Sequence, residues 1–140
     1  MSFARTAAFA AAVTAAGCSV AAAGPADAAA QYYGNIAVSR LKNTAVVTTD
    51  QTSKVKADAA AIRDCANYDC EIVLNFADGC GAIARGADGR WGWAAGGSLA
   101  DAEQAAVAGL GESAPAFPDL GSSTPRAAAV VASGCTKNVQ

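Results

Sequence analysis

Five cysteines, twelve carboxylates and no histidine set the chemistry open to this 140-residue chain. Without an imidazole, serine triads, Cys/His dyads and histidine-bearing zinc sites are excluded. Asp78 and Asp88 bracket a segment that also holds Arg85, and a carboxylate pair is what glycoside hydrolysis uses. Each acid, however, precedes a glycine, and Asp-Gly is the chemistry of a tight turn. Ser53 and Lys56 form an S-x-x-K sequence, but a serine in front of a helical run serves as its cap. Gly79, Gly81 and Gly86 match neither a phosphate loop nor the dinucleotide G-x-G-x-x-G spacing. The residues point away from an enzyme, and no cofactor is implied.

The thiols divide into one and four. Cys18 lies in an alanine-rich start, whereas Cys65, Cys70, Cys80 and Cys135 belong to the rest of the chain. Four cysteines can build a thiolate zinc cage, but the spacings of four, nine and 54 residues lack the paired C-x2-C knuckles of such sites. Disulfides are the expected use, and no metal site is. Of three pairings, one follows from the expected elements. Cys65 closes a helix and Cys70 opens the next strand, so a local staple spans that turn, leaving Cys80 to join Cys135. On the chain-entropy account the short loop contributes about 2 kcal/mol and the long one about 4 kcal/mol.

The elements that carry these residues repeat. Tyr33-Gly34-Asn35-Ile36-Ala37 recurs as Cys80-Gly81-Ala82-Ile83-Ala84, each followed by a polar turn and a strand-like run, Ala45–Val47 or Trp91–Trp93. A helix follows in each copy, one starting near Ser53 with Val55, Ala59, Ile62 and Cys65 on one face. The other starts at Ser98 with Leu99, Ala102, Ala106 and Leu110 on one face. Aligning Ser53 with Ser98 sets Leu110 over Cys65, so the second copy must take its staple from elsewhere. Ile72, Val73 and Leu74 mark the strand after the first helix; its counterpart, Ala128 to Ala132, waits until a Pro/Gly/Ser loop at 111–126 has passed. The expected fold is α+β: two ββαβ-like pseudo-repeats, about 32–76 and 79–135, in a mainly antiparallel sheet with both helices on one face, closed by disulfides.

Fifteen of the 39 alanines fall in residues 1–30. Arg5, the apolar stretch from Ala7 to Ala16 and the small residues Ala28, Ala29 and Ala30 follow the order of a secretory signal peptide, which predicts a single secreted domain over 31–140. Ala15-Ala16-Gly17-Cys18 is the alternative, a lipobox that would leave a lipid anchor on Cys18. No stretch reaches the roughly 20 apolar residues of a transmembrane segment. Ten basic against twelve acidic residues, without a run of either sign, exclude a nucleic-acid footprint.

Trp91 and Trp93 alternate, so in a strand they share one face. Exposed beside Arg85 and Arg90 they would offer a binding surface for a sugar or a protein; the scarcity of large side chains in so alanine-rich a chain argues instead for the core.

Taken with the Asp88-Gly89-Arg90-Trp91-Gly92-Trp93 segment, the Ser98-to-Ala106 helix and the last cysteine, the two Gly-x-Ile-Ala strands resemble the bacterial family called domain of unknown function 4189. The resemblance spans most of Tyr33 to Leu110 and implies a small exported bacterial protein, in a family some of whose members are suspected of acting at a host interface, with no shared enzymatic activity. Leu110, where a helix-end cysteine would stand, and the long proline-bearing loop depart from the pattern. The expectation is a non-enzymatic binding protein whose partner is a protein or envelope component. Its alternatives are an envelope hydrolase using the carboxylates Asp78 and Asp88, and a peptidase inhibitor presenting the 111–126 loop.

Overall fold

The structure, a computed structural model, describes residues 30–115 and 124–140. The expected export signal with Cys18 lies outside the described residues apart from Ala30, and so does the middle of the 111–126 loop. In chain order the elements are β1 (Tyr33–Ser39), β2 (Thr44–Gln51), α1 (Lys54–Cys65), β3 (Cys70–Ala77), β4 (Cys80–Arg85), β5 (Trp91–Gly96), α2 (Leu99–Ala108), β6 (Glu112–Ser113), β7 (Arg126–Ala127) and β8 (Ala129–Cys135). This is ββαβ twice, with β6 and β7 inserted before the last strand as a two-residue ladder at the foot of the loop.

Both helices start where a serine can cap them. Ser53 Oγ accepts from the Lys56 amide at 3.3 Å, and Ser98 Oγ accepts from the Asp101 amide at 3.2 Å while donating to the Asp101 carboxylate at 2.7 Å. α1 ends on Ala66 in the left-handed conformation (φ 54°), whose amide returns to the Ile62 carbonyl.

All strand pairs are antiparallel, but apart from the β6-β7 ladder they form two three-stranded sheets, β2-β1-β3 and β5-β4-β8, with the first strand of each repeat at the centre. Alternation along β1 explains the split. Asn35, Ala37 and Ser39 turn to α1, and Ile36 and Val38 turn the other way, where with Phe76 and the Ile83 side chain of β4 they form the core between the sheets. Cys80, Ala82 and Ala84 of β4 meet α2 through Ala102 and Ala106. The layers are therefore α1, first sheet, second sheet, α2. This corrects the expected single sheet with both helices on one face, while the α+β class, the antiparallel pairing and the staples hold. The physical reason is that each central strand is apolar on both faces; one sheet covered on one side would leave Ile36, Val38 and Ile83 in water.

The α1 face is also corrected. α1 buries Ala57, Ala60, Ala61 and Cys65, leaving Val55 77% and Ile62 42% exposed; the α2 face holds, with Ala102 and Ala106 buried, Leu110 packed on the same cluster and Leu99 41% exposed. Size decides here rather than hydrophobicity. The sheet face opposite α2 is lined by Ala82, Ala84 and Gly96, so small side chains let that helix lie close: a Cβ at Gly96 would stand 2.7 Å from the Ala102 amide nitrogen, while α1 sets its alanines against Ala37, Val46 and Ile72.

Phe76 joins the two repeats. Its ring lies over Gly34 and Gly81, the equivalent glycines of the two Gly-x-Ile-Ala strands, and a side-chain carbon on either would overlap it. Asp78-Gly79, expected in a hairpin turn, connects β3 of one sheet to β4 of the other; Asp78 takes φ 47°, and its amide donates to the Tyr32 carbonyl at 2.9 Å. Two disulfides close the fold as expected. Cys65–Cys70 spans the α1–β3 turn with Cα atoms 6.2 Å apart, and Cys80–Cys135 links directly opposed residues of β4 and β8 at 3.9 Å.

Candidate functional site at the arginine-rich end

The two repeats point the same way. Arg85, last residue of β4, donates to Asn43 Oδ1 in the β1–β2 turn at 2.9 Å, and at the opposite end Asp78 meets Tyr32 and Asn138 while the Lys137 amide meets Asp50. Every arginine among the described residues, Arg40, Arg63, Arg85, Arg90 and Arg126, falls at the first of these ends, with Lys42; Lys54, Lys56 and Lys137 fall at the second.

At the arginine end the expected binding residues separate. The Arg85 guanidinium stacks on the Trp91 ring, 5.3 Å from its centroid, and Trp91 itself is half-buried against the inter-sheet core. Trp93 shares that face, as alternation requires, and is 38% exposed at its rim. Arg90 is turned aside: its guanidinium and backbone amide both bond Asp88, in the five-residue turn closed by Gly86 and Arg90. Those bonds from Arg90 hold the Asp88 carboxyl below its ordinary range. Asp78 is likewise lowered, first by the Tyr32 amide and then by Asn138. The two acids stand at opposite ends of β4, roughly 20 Å apart at about 3.3 Å per residue. Neither is a raised, proton-donating acid, and they form no catalytic pair. Lys56 Nζ donates to Thr52 at 3.1 Å while Ser53 caps α1, so S-x-x-K is helix-start chemistry. Among the described residues no group of histidine, cysteine or acid side chains could hold a metal ion, and no helix is long and apolar enough to cross a membrane.

The feature sequence reasoning missed lies in the stapled turn. Tyr68 is 93% exposed and Leu41, in the neighbouring β1–β2 turn, is 62% exposed. The backbone beneath both is fixed. Asn67 Nδ2 donates to the Cys65 carbonyl at 2.8 Å, and the Cys70 amide donates to the Asn67 carbonyl at 3.3 Å. Asp69 reaches across to accept from the Leu41 amide at 2.9 Å and from Ser39 Oγ at 2.7 Å. The Leu41 and Ser39 bonds keep the Asp69 carboxyl ionised to below its ordinary range. One signal was available: an aromatic residue in a four-residue turn between two cysteines has no core to enter.

A family model described as a domain of unknown function, DUF4189, matches residues 33–135. The chain belongs to this family. The DUF4189 match starts at the first residue of β1 and ends at the second cysteine of the long staple, so both repeats and both disulfides lie within it. No curated protein and no solved structure matches the chain.

Proposed function

We propose that this DUF4189 protein is an exported, non-catalytic binding protein that engages a protein or envelope component through its arginine-rich end. The observation that carries the reading is Tyr68: a large aromatic side chain held almost wholly in solvent on a turn that a disulfide, a left-handed cap and the Asp69 bonds make rigid. Exposing an aromatic ring forgoes apolar burial on folding. Holding it on a rigid backbone lowers the ordering cost of association, and tyrosine and arginine are the residues that dominate binding interfaces. Leu41 supplies apolar area beside it, and the Arg40–Glu71 and Arg63–Asp64 pairs are exposed contacts of little intrinsic strength that can re-form with a partner. Export is supported by the alanine-rich leader and by two disulfides, which persist in oxidising compartments. The leader ends beyond Cys18, which favours release over lipid anchoring.

The test is side-by-side capture from cell-envelope and host extracts with oxidised wild-type protein and the Tyr68→Ser/Leu41→Ser variant. Both residues are exposed, so the variant keeps the wild-type circular dichroism and melting temperature, and a partner retained by wild type is lost. Equal capture by both proteins overturns the reading.

A further inference from the structure

A second feature of the same end is independent of Tyr68. The β4–β5 turn and the start of the last strands border an open surface cavity of about 470 Å³, with Arg85, Gly86, Ala87 and Gly89 on one side and the exposed residues Arg126, Ala127, Ala129 and Val131 on the other. Among the described residues the wall contains two guanidinium groups and no carboxylate, and neither arginine has a carboxylate partner. The acid nearest in sequence, Asp88, is held by the side chain and amide of Arg90. Arg85 is set in place from both sides, stacked on Trp91 and bonded to Asn43, and uses one of its five N–H donors there. Gly89 adopts φ 84°, a conformation that favours glycine, and places the turn backbone beside Arg85. The rest of the described wall is Gly86, Ala87, Ala127, Ala129 and Val131.

We propose that this cavity binds an organic oxyanion, a carboxylate or phosphate ester carried on a small apolar body. Guanidinium groups match the planar fork of a carboxylate or phosphate, and a fixed one loses little freedom on binding. The Ala127, Ala129 and Val131 side accepts the apolar body, so the site distinguishes such a ligand from a bare ion.

Trp91 is the built-in reporter, because a ligand drawing on Arg85 changes the stack on the indole. In oxidised full-length protein carrying Trp93→Phe, which leaves Trp91 as the one tryptophan, fluorescence is titrated with hexanoate, hexyl phosphate, inorganic phosphate and hexylammonium. The proposal expects a saturable change with hexanoate or hexyl phosphate, the tighter of the two identifying the head group, and none with hexylammonium. Affinity falls about tenfold or more in Arg126→Gln, the loss expected when a charge-assisted hydrogen bond is removed; calorimetry on that variant in the Trp91/Trp93 background gives the same result without fluorescence. Lys42→Gln, at the same end but outside the cavity wall, leaves affinity unchanged. Absence of saturable binding by either organic anion, equal binding of hexylammonium, or equal loss in Lys42→Gln overturns the site. Inorganic phosphate binding as tightly as hexyl phosphate overturns the assignment of the apolar wall. Because Tyr68 and Leu41 play no part, the Tyr68→Ser/Leu41→Ser variant retains anion binding, and the two readings fail separately.

Discussion

The two repeats solve one packing problem with different parts. In the first, the central strand presents Asn35 to its helix, and Asp58 of α1 accepts from Asn35 Nδ2 and, at 3.4 Å, from Asn75 Nδ2. In the second, Ala82 takes the place of Asn35, and Glu103, which aligns with Asp58, accepts from Ser133 Oγ on the outer strand at 2.6 Å. Each helix is thus pinned to its sheet by one acid, with the longer side chain used where the polar partner lies farther out. The staples differ more. Repeat one closes a local turn and repeat two ties its central strand to the last one, 55 residues on. The comparison teaches that the small staple, with about half the stabilisation of the large one, sits where a side chain is displayed, whereas the large one ties the fold together.

The contact common to both repeats gives the largest expected effect. Phe76→Ala removes the ring that both Gly34 and Gly81 accommodate, and the cavity left between the sheets costs about 3–5 kcal/mol in chemical denaturation. A loss below about 1 kcal/mol would mean that the sheets do not depend on each other. Next come the staples. The Cys80→Ser/Cys135→Ser variant loses about 4 kcal/mol and the Cys65→Ser/Cys70→Ser variant about 2 kcal/mol, from the lengths of the loops they close; the reverse order would break the comparison. The helix pins follow. Asp58→Ala strands the buried Asn35 amide and costs about 1–3 kcal/mol, whereas Glu103→Ala leaves a half-buried hydroxyl that can rotate to another acceptor and costs about 1 kcal/mol or less.

Acid gives the smallest and most even effect. Asp69, Asp78 and Asp88 all have folded values below their unfolded ones, so the stability they contribute is complete above about pH 4 and is lost as pH falls through the depressed folded values. The melting temperature should therefore stay level from neutral pH to about pH 4 as far as these groups decide it, then fall; Asp69→Asn should flatten that fall.

Much of this was legible in the sequence because it is local. Ser53 and Ser98 announce the helices, Gly-x-Ile-Ala marks both central strands, and the helix-to-strand step from Cys65 to Cys70 fixes the pairing. The division into two sheets was not legible, since a strand apolar on both faces reads the same whether a helix or a second sheet covers it. The bulk of Val55 and Ile62 suggests burial, but α1 turns its alanines and Cys65 to the sheet instead. Of the expected surface, Trp93 is at the rim, Trp91 joins the core with Arg85 stacked on it, and Arg90 is tied to Asp88. Tyr68 escaped notice because a turn carries no periodicity.

The central claim is that the two staples have different jobs, and capture of a partner by the two double-serine variants tests it most directly, at a temperature where circular dichroism shows both folded. The account predicts that Cys65→Ser/Cys70→Ser, the more stable variant, loses the partner that wild type retains, while Cys80→Ser/Cys135→Ser keeps it. Retention by the first with loss by the second would contradict it.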